Sequence, residues 1–378
     1  MEFVQYNWLY ALIGFIIYLI MLSLSRPLKT YYAPQTNNGN YGVKLFFILY
    51  VINSVFALWE WDTYHIWDDF IREGQYANFE IWGYEGIYNW LASKTGAHYF
   101  LWRFIVWTPA CLFIYYTAKR LRILNNNFIL ALALFAGFAA YTRGMLGHTM
   151  LVFGAVLVFD DKSSKFTKLL GILVVGVSYF FHKSMYVNII FALIALIPFG
   201  KRTIVISLVL FPLMTFVARY LVDGIAGGMI DMSMGEGVGG VGDRTLQYVS
   251  GEQLEVNTRG IVGKVIAYTP EYLCLYYLCN RIAFKNYFDN IPNKQVFIYL
   301  FRLTFVIFYI ASLFAFVDTS SWIYLRFKYM AFFPLIFVLG RVLMLEKKRN
   351  YWVRFIIILQ LFAIFFKYLL LIRNWMSL

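Results

Sequence analysis

The apolar residues of this chain are gathered in long blocks. They neither alternate, as in a half-buried strand, nor keep to one stripe of a helix. Twelve blocks approach the length of a membrane span, at about 6–24, 43–60, 99–118, 127–142, 144–159, 168–182, 184–199, 203–222, 261–280, 295–316, 328–345 and 352–371. In lipid, segments of this kind satisfy their backbone hydrogen bonds internally only as helices. The pattern therefore predicts an all-α polytopic membrane protein with about twelve transmembrane helices in a single integral membrane domain, residues 1–378. The first block, Trp8 to Leu24, has no small-residue cleavage site and exceeds a signal-peptide core in length, so a retained span is expected.

One stretch breaks the pattern. From Leu169 to Phe199, thirty-one residues contain His182 and Lys183 as the sole charged or imidazole side chains. A single helix of that length would measure about 46 Å against roughly 30 Å of hydrocarbon. Two short arms of about fifteen residues each, meeting at His182-Lys183, fit better if their apex reaches a wet cavity.

Charge then orients the helices. The formal net charge is +13 with 33 Lys and Arg, a balance that in a soluble protein would suggest nucleic acid. Here, with the N-terminus taken as external, alternate connections collect 19 of those 33 basic residues and four acids (Asp160, Asp161, Asp289, Glu346). That side is net +15 and the remainder net −2, a positive-inside distribution. No nucleic-acid partner is expected. Both termini are expected outside, and two external connections are long, 61–98 and 223–260. Chemistry on the outer face is the consequence, since an enzyme can place its working parts on one side.

The first long loop, with Trp59 and Glu60 just before it, interleaves Glu60, Asp62, Asp68, Asp69, Glu73, Glu80 and Glu85 with eleven Trp, Tyr and Phe rings, among them Tyr64, Trp82 and Tyr84. Apolar spacing at Ile66, Phe70 and at Ile87, Trp90, Leu91 predicts short amphipathic helices in the interface. Aromatic rings anchor a loop to a membrane. Beside carboxylates they also make a carbohydrate platform, because flat faces stack on sugar CH surfaces while carboxylates accept from hydroxyls. The second loop contains GEGVGG at 235–240, but no strand precedes it and no GK[ST] follows, so a nucleotide site is not expected. Eight glycines between Gly224 and Gly242 predict a mobile flap, flanked by Arg244 and Arg259.

Ionisable groups inside spans are costly, about 2.5–3.5 kcal/mol each at a helix centre, and tend to line cavities. Besides the His182-Lys183 pair they include Arg103, Arg143, His148, Arg219, Lys264, Glu271, Arg302, Arg326 and Lys328. Several cations fall on the outward half, where the positive-inside bias should thin them. A phosphate or pyrophosphate ligand accounts for that; pairing with Glu271 or snorkelling is the alternative for any single residue. Arg143, beside Gly144 between two apolar runs, marks a second shallow apex. His148 is expected to be a packed or water-bonded helix residue. Four scattered histidines show no HExxH or HxxxH pattern, and Cys111, Cys274 and Cys279 sit in apolar blocks without a CxxC, so neither a metal site nor a disulfide framework is expected.

The segments YTRGMLGHTMLVFGAVLVF and SYFFHKSMYV, in that order, resemble the paired signature of EpsG-like and Wzy-like polysaccharide polymerases. WDTYHIW followed by GYEGIYNWL is similar to the family's external Asp/Tyr segment and its Glu-containing partner, and YLRFKYMAFFPLIF to its Arg-bearing start of a penultimate span. The resemblance implies a membrane-embedded glycosyltransferase of the C-superfamily type in a bacterial cytoplasmic membrane, joining polyprenyl-pyrophosphate-linked oligosaccharide repeats. It implies Arg143, Lys183 and Arg326, with Arg244 or Arg259, on the pyrophosphate; His182, Asp62 or Glu85 as base; and Tyr64, Trp82 and Tyr84 on sugar. The partners implied are lipid-linked donor and acceptor, the bilayer, and a chain-length regulator, with no cofactor and no metal. A ligase, a lipid-linked oligosaccharide transporter and a membrane acyltransferase are the rival readings.

Overall fold

Every apolar block carries a helix in the computed structural model, which describes residues 7–25, 40–56, 99–137, 144–181, 184–226, 261–315, 321–346 and 350–376. In chain order these are α1 (Asn7–Ser25), α2 (Asn40–Val55), α3 (Tyr99–Arg120) and α4 (Asn126–Ala131, continued by a π-helical turn Leu132–Ala136). Next come α5 (Met145–Phe159), α6 (Lys165–Ser178, then a 3₁₀ turn Tyr179–Phe181), α7 (Ser184–Ile194) and α8 (Lys201–Ala226). The chain finishes with α9 (Ile261–Cys279, then a π turn Asn280–Phe284), α10 (Lys294–Leu313), α11 (Ser321–Leu345) and α12 (Tyr351–Met376). Two starts are capped as their sequences suggest: Asn125 accepts from the Phe128 N–H and Ser164 from the Thr167 N–H.

No strand occurs among the described residues, and six helices are long and apolar enough to cross a membrane. These are α1, α3, α8, α10, α11 and α12; four shorter apolar helices accompany them. The chain is a multi-pass membrane protein. Several boundaries differ from the pattern-based expectation, among them α7, which ends at Ile194 rather than 199, and α12, which runs to Met376 rather than 371. Helix α8 continues to Ala226, so the connection expected from 223 begins later. Helix α11 starts at Ser321 rather than 328, because Lys328 finds a carboxylate partner and need not end the helix. Helix α4 with its π turn stops at Ala136, short of the expected 142. The loop 61–98 and the remainder of 227–260 lie outside the described residues.

Of the six long apolar helices α10 and α11 are the most buried, packed along each other, with the largely buried α4 and α5 against them. Helix α8 is peripheral: Tyr309 of α10 donates to the Ser207 carbonyl 2.9 Å away and stacks edge-on with Phe211. Helices α5 and α6 approach closely at a pair of glycines. A Cβ on Gly154 would lie 2.6 Å from the Gly171 carbonyl oxygen, and one on Gly171 would lie 2.7 Å from that of Gly154. Small residues permit that approach, which in lipid supplies dispersion contact that the hydrophobic effect does not. The three cysteines are free and buried.

At one end of the bundle, basic residues meet the acids that charge patterning assigned to the same side. Arg120 Nε lies 2.7 Å from Asp160, Arg281 Nε 2.9 Å from Glu346, and Lys294 Nζ 2.9 Å from Asp289. Tyr277 donates to Glu346, and the Arg281 guanidinium sits 5.3 Å from both the Tyr277 and Tyr287 rings. Burial raises the Tyr287 phenol above its ordinary range and Glu346 pushes the same way, so this ring stays neutral beside the arginine.

The π turn is held from three sides. A π turn displaces carbonyls from their usual i+4 donors, and each is costly if left bare in an apolar interior. Tyr18 of α1 donates to Ala133 O (3.2 Å), Tyr50 of α2 to Ala136 O (2.9 Å) and Gln360 of α12 to Leu134 O (2.8 Å). Tyr50→Phe is expected to destabilise the protein by about 1–3 kcal/mol, because it strands a buried carbonyl. Thermal unfolding in detergent measures this; an unchanged midpoint would mean that the bond contributes nothing.

Candidate functional site

Helices α5, α7 and α11 begin at the same end of the bundle, opposite the ion-paired end. Phe159, the last residue of α5, stacks on Tyr299 near the start of α10, and Phe314 at the end of α10 meets Phe327 near the start of α11. A small polar layer lies near the starts of α5 and α7 and against the middle of α11. His148 Nδ1 of α5 lies 2.9 Å from Asn188 Nδ2 of α7, and its ring packs at 5.6 Å on Phe333 of α11. His148 and Asn188 are both buried. The amide and the ring nitrogen satisfy one another in a layer otherwise lined by apolar side chains.

Glycines let the layer close. A Cβ on Gly144 would lie 2.5 Å from His148 Nε2, so glycine lets the ring lie over the start of its own helix and a side chain there would push it aside. A Cβ on Gly147 would meet Met185 of α7 at 2.7 Å and the Ser178 carbonyl of α6 at 3.2 Å. The 3₁₀ turn Tyr179–Phe181 packs on α5 and α7 as well.

This layer holds the attachment points of the expected basic residues. Arg143 is bonded to Gly144, His182 to Phe181 and Lys183 to Ser184, and successive Cα atoms are about 3.8 Å apart. The run is divided between two helices, α6 ending at Ser178 with a 3₁₀ turn after it and α7 starting at Ser184, with 14 and 11 residues. Arg143, His182 and Lys183 themselves lie outside the described residues, as do Asp62, Glu85, Arg244, Arg259, Tyr64, Trp82 and Tyr84. Arg326 is described: it is half-buried on α11, seven residues before Phe333. Seven residues are two helical turns, so it shares the face that meets His148, about 10 Å further toward the helix start.

Other outward cations have structural work. Arg103 is fully buried, donates to the Ser54 carbonyl in the last turn of α2 and lies 4.3 Å over the Trp107 ring. A guanidinium there complements the negative end of the helix dipole. Lys328 is paired with Glu271 at 2.7 Å.

Sequence reasoning missed Asn188 and the joint role of Glu271 and Tyr324. The first was legible as a lone amide in an apolar arm, six residues after His182. The second showed only as Tyr and Lys spaced i, i+4. No curated protein and no solved structure matches the chain. A family description, the EpsG family, matches residues 40–377, nearly the whole length, and the chain belongs to that family.

Proposed function

We propose that the protein is a polysaccharide polymerase that joins polyprenyl-pyrophosphate-linked oligosaccharide repeat units on the outer face of a bacterial cytoplasmic membrane. All twelve helices traverse or enter the bilayer in this reading, with both termini outside. Supporting it, beyond the family, is the packed layer of Gly144, His148, Met185 and Asn188, which ties the neighbours of Arg143, His182 and Lys183 to the helix that carries Arg326.

The reaction is a substitution at the anomeric carbon of the donor. An acceptor hydroxyl oxygen forms the new glycosidic bond, the bond from that carbon to the pyrophosphate oxygen breaks, and the electron pair leaves with polyprenyl pyrophosphate. Arg143, Lys183 and Arg326, joined by Arg244 or Arg259, neutralise the charge that develops on the departing oxygen. His182 takes the acceptor proton, its ordinary pKa of about 6.5 being suited to that task; Asp62 or Glu85 does so if the sugar is presented from the long loop. Tyr64, Trp82 and Tyr84 stack on the repeat unit.

Reconstitution of purified protein with a lipid-linked repeat tests the reading. A ladder of products is expected, undiminished by chelator because arginine supplies the charge neutralisation. A single-addition product would identify a ligase instead, and substrate bound without bond formation a transporter. Activity lost to chelator and restored by a divalent ion would overturn the metal-free scheme.

A further inference from the structure

The turn of α11 that carries Arg326 is pinned by one carboxylate. Glu271 of α9 accepts from Lys328 Nζ through Oε1 at 2.7 Å and from the Tyr324 hydroxyl through Oε2 at 3.0 Å. Those donors stand two residues after and two residues before Arg326. All three side chains are buried. Tyr268 of α9 closes the arrangement, its ring 4.3 Å from that of Tyr324 and 5.0 Å from Lys328 Nζ; Tyr329 and Phe332 cover the ammonium from α11, each at 5.8 Å.

Stability alone is a poor reason for such a pair. Taking both charges out of water offsets most of their attraction, and an apolar pair of similar volume is often as stable or more so. What two bonds to one carboxylate provide is direction: they fix rotation and axial register of the first turns of α11 against α9 in a way apolar contact does not. Helix α9 packs its length on α12 and reaches α11 here through long side chains. It also continues directly from the segment that carries Arg244 and Arg259.

We propose that Glu271 is a positioning residue, acting through Lys328 and Tyr324 to hold Arg326 where it meets the leaving group. The catalytic part of this rests on the polymerase reading; the positional part does not. Two readouts keep them separable. In the full-length protein with Cys111, Cys274 and Cys279 changed to alanine, Arg326→Cys is labelled with a maleimide, with and without the double substitution Glu271→Leu/Lys328→Met. That pair leaves no buried charge unpaired. The labelling rate is expected to change at least about tenfold when the clamp is removed; an unchanged rate overturns the proposal whatever the activity.

With Arg326 in place, the same double substitution is expected to lower kcat for polymer formation about tenfold while KM for the lipid-linked repeat stays within about threefold, because the group displaced acts on the transition state. Altered labelling in a protein whose parent makes no polymer would sustain the positioning role and remove the polymerase reading. Should the double variant fail to fold, Tyr324→Phe removes one of the two bonds alone and must shift the labelling rate in the same direction; no shift overturns the proposal.

Discussion

His182→Ala is expected to abolish high-molecular-weight polymer in membranes that contain near-normal amounts of the protein, and Arg143→Ala to do the same. The two halves of this expectation have different origins. Protein abundance is preserved because the arms on either side of His182 are anchored by other residues: Met185 against Gly147, Asn188 to His148, and the Tyr179–Phe181 turn on α5. Polymer is lost because each residue acts where charge or a proton moves. Removing a positioned general base lowers the rate about 10²–10⁴-fold, and removing a group that stabilises a developing oxyanion about 10²–10³-fold. Polymerisation repeats the step for every unit added, so even the smaller factor empties the upper part of a ladder. Gel analysis of the polysaccharide alongside immunodetection of the protein measures both halves. Wild-type chain lengths from either variant would take that residue out of the site.

Gly154→Val is expected to destabilise the protein by about 3 kcal/mol, the upper range for forcing volume into a packed contact. A Cβ there meets the Gly171 carbonyl oxygen at 2.6 Å and Val175 Cγ2 at 2.8 Å, and the first of these is backbone that cannot swing away. Relief requires that α5 and α6 separate, which pulls Ser178 from Gly147. Gly176→Val on the same α6 is the control, because a Cβ there meets nothing within 4 Å. Valine has the better helix propensity, so the control is expected to be neutral or slightly stabilising. Equal melting temperatures for the two variants would show that the close approach of α5 and α6 is dispensable.

Much of the architecture was written in the order of apolar and charged residues. Each apolar block carries a helix among the described residues because a helix is the one arrangement in which a long apolar segment closes its own hydrogen bonds. The end of α6 at Ser178 and the fresh start of α7 at Ser184 agree with the length of the run. Counting charges by side put Arg120 with Asp160 and Arg281 with Glu346 in the same layer, and the folded structure made them pairs. Boundaries were less legible where a charge meets a distant partner. Lys328 looked like the rim of a span and proved to be inside one, since Glu271, fifty-seven positions away, neutralises it.

The candidate site divides in the same way. His182, Lys183 and Arg143 announced themselves as charges in hydrocarbon, a local signal that composition carries without any knowledge of neighbours. Asn188, the glycine contacts at 144 and 147, the carbonyl clamp on the π turn and the double grip of Glu271 did not. Each is a short-range contact between segments far apart in the chain, and a neutral amide or a glycine is unremarked until its partner is known. Local chemistry says which groups a membrane would tolerate only for a purpose; the folded packing decides which of them stand together.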